Sequence, residues 1–169
     1  AAAAGKPYAR NALMVGEHLH FGGASEYAKG MMEEIRTGGT FHGTTCAGFA
    51  PDFTVDTLYA EDAVWTDATM VEKLNLNTYN IFCHLGHCNA YVLMKMWIGV
   101  TDLSAITNSR LGFVYSQGCF PGAFDNLATT GFMPYDSIAE ALLRDSRSGF
   151  AAGVLNSRYG WGMQNSTDG

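Results

Sequence analysis

Basic residues are scarce in this sequence, ten against sixteen acidic ones, and they are scattered without a run. A net charge of −6 argues against a nucleic-acid binder, which presents a basic stripe to the phosphates. Long apolar runs are missing too. No stretch of about 18 apolar residues occurs, so no membrane span is expected. The start, Ala1 to Gly5, lacks the basic flank and apolar core of a secretory signal. Residues 1–10 read as a linker or a processed end. Four cysteines (Cys46, Cys83, Cys88, Cys119) are too few for a disulfide scaffold at this length. They permit two bridges without requiring them. No internal repeat is visible, and the alanine start is the only biased segment. What remains is a chain of 169 residues, 47% hydrophobic, long enough to bury the core of a single domain.

Short apolar runs alternate with helical patterns. Ala12 to Val15 reads as a buried strand that stops at Gly16-Glu17. Ser25 to Ile35 has a capping serine and apolar residues at helical spacing in Tyr27, Met31 and Ile35. Thr37 to Phe53, rich in glycine and threonine, reads as a long loop. Thr54 to Tyr59 is a second strand, and Thr66 or Asp67 caps a helix running to about Leu74. Tyr79 to Cys83 is a third strand, ending in His84-Leu-Gly-His87-Cys88-Asn89. Residues 90–98 are apolar and ambiguous, and Thr101 to Ile106 fits one or two helical turns. Leu111 to Tyr115 is the clearest strand, followed by Ser116-Gln-Gly-Cys119. Ser137 to Arg144 is a capped amphipathic helix, and Phe150 to Leu155 is a last strand, running into Asn156-Ser157. This alternation predicts an open, mainly parallel α/β sheet covered by helices.

Four of these strands end in polar or reactive groups: Glu17, His87, Cys119 and Ser157. Open α/β sheets bind ligands beyond the carboxyl ends of their strands, so the four are expected to share one edge. A thiol on one strand-end turn and an imidazole on its neighbour suffice for nucleophilic acyl transfer. The Cys119 amide is placed to donate to a developing oxyanion. From the residues alone, a buried thiol and a hydrogen-bonded histidine explain the same pattern.

Five collinear segments add weight. Ala12-Leu-Met-Val-Gly-Glu17, Gly86-His87, Ile106-Thr-Asn-Ser109 with Gln117-Gly-Cys119, Ile138-Ala-Glu-Ala-Leu142 and Asn156-Ser-Arg-Tyr-Gly-Trp161 together resemble the gingipain branch of the caspase-like cysteine peptidases. The resemblance implies an α/β caspase-like fold over residues 11–169, the C-terminal part of a catalytic domain. It implies a cysteine-type endopeptidase acting on protein or peptide substrates. Cys119 falls at the nucleophile position, His87 at the catalytic histidine, and Glu17 at a carboxylate that orients or polarises the histidine. The amides of Cys119 and Cys88 would form the oxyanion hole. Glu26, Trp161 and Ser157 are implied as substrate-pocket residues, Glu26 as an acidic floor favouring a basic side chain. No cofactor is required for the chemistry. The family's calcium dependence points to a structural Ca2+ near Asp125 or Asp168, in oxygen-rich loops without EF-hand spacing. The resemblance also implies a secreted or cell-surface protein, with the rest of a precursor or a companion chain completing the sheet.

The pattern departs from the family in its extent, covering only part of a catalytic domain, and at the residue after the histidine. Glycine commonly follows the catalytic histidine there, whereas this chain has Cys88. A positive φ at that position would strain a cysteine by about 1 kcal/mol or more. Several residues also carry a plainer reading. The Cys83-His84-x-x-His87-Cys88 cluster has zinc-ligand chemistry, but Cys83 and His84 would face opposite sides of a strand. Cys83 is then a core residue and His84 a hydrogen-bonding partner behind the site. His18, His20 and His42 are expected at the surface, and Met31, Met32, Met94 and Met96 in the core. A non-catalytic caspase-like binding or assembly module is the alternative reading.

Overall fold

A computed structural model of the chain describes residues 7–41, 43–128, 131–144 and 147–167. In chain order the elements are β1 (Asn11–Gly16), α1 (Lys29–Thr37), β2 (Gly38–Phe41), β3 (Thr44–Ala47), β4 (Thr54–Tyr59), α2 (Asp67–Asn75) and β5 (Ile81–Leu85). There follow β6 (Val92–Leu93), β7 (Met96–Trp97), β8 (Gly112–Ser116), β9 (Leu127–Ala128), β10 (Gly131–Phe132), α3 (Ile138–Arg144) and β11 (Phe150–Leu155). Five strands form one sheet in the order β11-β8-β5-β1-β4, and every pairing within it is parallel. The expected open parallel α/β sheet flanked by helices is therefore observed.

Register explains the layers. Leu13, Phe82 and Val114 align across β1, β5 and β8, on the face that packs against α2 and α3. Phe150 of β11 joins that core, and its ring meets Phe82 edge-on at 5.2 Å. Met14 and Cys83 align on the opposite face, where α1 supplies Met32. Tyr115 and Val154 continue that same row, yet α1 does not reach them. Phe113 is 38% exposed and Val154 57%, so half of one sheet face lies bare.

Local sequence fixes the ends of the elements. α2 begins at a capping box between Thr66 and Thr69. Ser137 and Glu140 bond reciprocally ahead of α3. Buried Asn108 ties the turn before β8 to the one before β11, donating to Gly149 O at 2.8 Å and accepting from Gly149 N at 2.7 Å.

Two expectations fail locally, and one ambiguous stretch takes a definite form. The predicted loop over 37–53 contains the antiparallel hairpin β2–β3. Ser25 is not the cap of α1, which starts at Lys29. Its hydroxyl instead donates to Gly22 O and accepts from Asn165 N. Residues 90–98 form the small hairpin β6–β7, which carries Met94 and Met96 into the core.

Removing the Phe150 ring (Phe150→Ala) should destabilise the fold by about 3–5 kcal/mol, whereas Val154→Ala on the bare face should change it by less than about 0.5 kcal/mol. Urea unfolding of the two variants measures the difference.

Candidate active site

The carboxyl ends of β1, β5 and β8 lie side by side and bring Glu17, the His84–Cys88 turn and the Ser116–Cys119 turn together. A buried polar chain joins the three. His84 is fully buried and Glu17 is 6% exposed. His84 Nε2–H donates to Glu17 Oε1 at 3.1 Å, and His84 Nδ1 meets Ser116 Oγ at 2.8 Å. Ser116 Oγ also accepts from the Gly118 amide at 3.2 Å. Glu17 Oε2 accepts from the His87 amide at 3.3 Å. Both reactive turns therefore hang from one hydrogen-bonded network.

Glu17 thus reaches His87 through its backbone, and the ring it contacts is that of His84. The His87 ring is held from the other side, with Nε2 at 3.0 Å from Leu19 O. A carbonyl only accepts, so Nε2 carries the proton of the neutral ring and Nδ1 keeps its lone pair.

Two glycines make the network possible. A Cβ on Gly86 would lie 2.4 Å from the Glu17 carboxyl carbon, and one on Gly118 would lie 2.1 Å from Cys88 Sγ. Cys88 is accordingly turned inward, its sulfur 3.9 Å from both His84 Nδ1 and Ser116 Oγ. It is not among the described non-glycine residues with positive φ, so the strain expected there is not found. After the nucleophile candidate the strained position is Phe120, at φ 64°. Its buried ring packs edge-on against Tyr159 and anchors the turn, and its amide donates to Arg158 O at 2.7 Å.

Cys119 and His87 line the same cavity of about 220 Å3. Its walls include Leu19, Phe21, Met31, Trp161 and Met163, with Ser25 and Gln117 as polar side chains. Gly160 crosses the thiol, its amide donating to Cys119 Sγ at 3.3 Å. Among the described residues, neither the Cys88 nor the Cys119 amide has a protein acceptor. Trp161 is a wall of the cavity and is 83% exposed. A larger hollow of about 520 Å3, bordered by Leu103, Ile106 and Arg144, lies at the opposite ends of the strands and holds no thiol, imidazole or carboxylate.

Two residues implied for the pocket lie elsewhere. The Glu26 carboxylate bonds His18 and the Gly22 amide and does not line the cavity. The reason is the chain's return at residues 18–27, where Glu26 O pairs with the amides of Leu19 and His20 and its side chain faces away. Ser157 is also outside the lining, and its carbonyl accepts from Arg158. Asp125, one of the two residues implied near a calcium ion, lies beside Arg158. Both its oxygens meet the Arg158 guanidinium, which holds its carboxyl below the usual range. Asp168 and His42 lie outside the described residues. Sequence reading missed Ser116, although its place as the last residue of β8, in register with His84, marks it.

The model for Peptidase family C25 matches residues 3–168, and the chain belongs to that family of cysteine peptidases. Two solved structures share its fold. One is the arginine-specific cysteine proteinase gingipain R (RgpB), with 18% identity and a TM-score of 0.61. The other is the complex of the pro- and mature domains of RgpB from Porphyromonas gingivalis, with 16% identity and a TM-score of 0.59. Each comparison covers 92% of this chain, which spans about a third of the other, 33% and 34% respectively. No curated protein matches the chain.

Two outcomes follow from the buried network. Burial works against charge on His84, but the Cys88 sulfur and the Glu17 carboxylate outweigh it and raise the pKa from 6.5 to about 10. The folded value lies above the unfolded one, so this stabilisation is complete below about pH 6.5 and is lost as pH rises through about 10. Unfolding free energies measured across that window should fall, and His84→Asn should flatten the fall. Gly118→Ala, forced against Cys88, should cost about 1–3 kcal/mol. Adding Cys88→Gly should restore most of it in thermal unfolding.

Proposed function

We propose that the chain is the catalytic part of a cysteine-type endopeptidase, with Cys119 as nucleophile and His87 as general base. One observation carries this reading: the thiol and the imidazole open on one cavity, and the Leu19 carbonyl leaves His87 Nδ1 as the basic nitrogen. In the reaction, His87 Nδ1 takes the Cys119 proton and the sulfur attacks the peptide carbonyl. The oxyanion is received by the amides of Cys119 and Cys88. Protonated His87 then gives its proton to the leaving amine, and water attacking the thioester releases the acid product. Glu17 is a positioning residue, since it holds the His87 amide and the His84 ring.

The cavity lining holds no carboxylate, and its walls are mainly apolar. The residue before the scissile bond is therefore proposed as apolar, such as leucine or methionine. The arginine specificity stated for the gingipain R structure is not carried over. A further part of the polypeptide, or a companion chain, is proposed to cover the bare sheet face around Phe113 and Val154. Membership in the family supports a secreted or cell-surface location. No helix among the described residues is long and apolar enough to cross a membrane.

A leucyl acyloxymethyl ketone should label Cys119 faster than its arginyl counterpart, with the site read by peptide mapping. His87→Ala should abolish the labelling. Label on Cys88 or Cys83 would reject the dyad and favour a non-catalytic binding module. Faster arginyl labelling of Cys119 would keep the dyad and reject the apolar preference.

A further inference from the structure

The segment between β1 and α1 doubles back on itself. His18 bridges Tyr27 as an antiparallel pair, and the amides of Leu19 and His20 both reach Glu26 O, at 2.8 and 3.3 Å. Side chains alternate along such a segment, so Leu19 turns inward while His18 and His20 share the outer side. Leu19 is 4% exposed. His20 sits at φ 62°, and the two imidazole centroids lie 3.7 Å apart. Tyr27 stacks on His18 at 4.4 Å and orients that ring. Glu26, on the returning strand, places Oε1 at His18 Nε2, while the Gly22 amide holds Oε2 at 2.8 Å. One donor atom from each of His18, His20 and Glu26 lies within 4.8 Å of the other two.

We propose that His18, His20 and Glu26 form a binding site for a divalent transition metal of the zinc type. Two imidazole nitrogens and one carboxylate oxygen suit zinc, cobalt or nickel, whereas calcium and magnesium prefer an all-oxygen set. The donors need to draw in only modestly to reach metal–ligand distances of about 2.0–2.2 Å. His20 is exposed and the other two half-exposed, so an ion enters from solvent and keeps water at the remaining position. The Gly22 amide on Oε2 and the Tyr27 ring on His18 are the supports that orient metal ligands elsewhere. A metal here would brace the catalytic edge. Leu19, between the two histidine ligands, holds His87 through its carbonyl, and the His20 ring lies 6.1 Å from that of His87. Metal binding is independent of whether Cys119 is a working nucleophile.

Metal-stripped protein titrated with Co2+ and with Zn2+ tests the site. Co2+ should bind at one equivalent with micromolar or tighter affinity. Its visible bands should be those of nitrogen and oxygen ligation, without the near-ultraviolet sulfur-to-cobalt transition that a cysteine site gives. His18→Gln and His20→Asn should each weaken binding by at least about tenfold. Asparagine tolerates the positive φ at position 20, so the metal-free His20→Asn protein should unfold at or above the wild-type temperature. Zn2+ should raise the unfolding temperature of wild type and leave that of His20→Asn unchanged. Unchanged affinity in both variants, a thiolate band, or no uptake at micromolar metal would each overturn the proposal.

Discussion

The site depends on one buried ion pair. Glu17, just past the end of β1, and His84 on β5 exclude water between them, and Ser116 extends the contact to β8. An unpaired carboxylate at that depth would cost several kcal/mol, as would an unpaired imidazolium. Each therefore requires the other, and the pairing fixes how the strand ends sit. The two reactive turns take their backbone positions from this network, since the His87 amide binds Glu17 and the Gly118 amide binds Ser116. A parallel sheet alone would only bring the turns to one edge. The ion pair turns that proximity into defined geometry.

Around this fixed centre the cavity is built from less regular backbone. Residues 160–163 cross the thiol without helix or strand, and residues 18–25 form the facing wall. The rigid side carries the groups that would react, and the irregular side carries those that would meet a substrate. This division matches the usual placement of recognition on loops and of positioning on the scaffold.

Much of this arrangement is legible in the sequence. β1 and β5, buried on both faces, announce themselves as short apolar runs that need no alternation, and the other three sheet strands as brief β-prone segments between turn residues. Their polar terminal residues point to the edge where Glu17, His87 and Cys119 meet. His84 reads correctly as a partner behind the site. What sequence does not supply is the direction of loops. Glu26 is close enough in the chain to serve the pocket, yet the reversal at residues 18–27 sends its carboxylate to His18. The β2–β3 hairpin escapes notice because its strands are short and largely exposed, so no hydrophobic pattern marks them. Cys88 fits because its φ is not positive and Gly118 leaves room for its sulfur, a contact between turns 30 residues apart that no local pattern encodes.

The uneven cover of the sheet bears on the chain's behaviour in solution. On one face, the β1 and β5 rows are dry beneath α1, while the β8 and β11 rows meet water through Phe113, Tyr115 and Val154. Contiguous apolar surface beside an unpaired edge strand attracts other chains, including copies of itself. Association through that face removes the same surface from water that an internal helix would, and draws the folding equilibrium with it. The firmness of the distant candidate site then follows mass action in part, set by concentration and company as well as by the residues of the site.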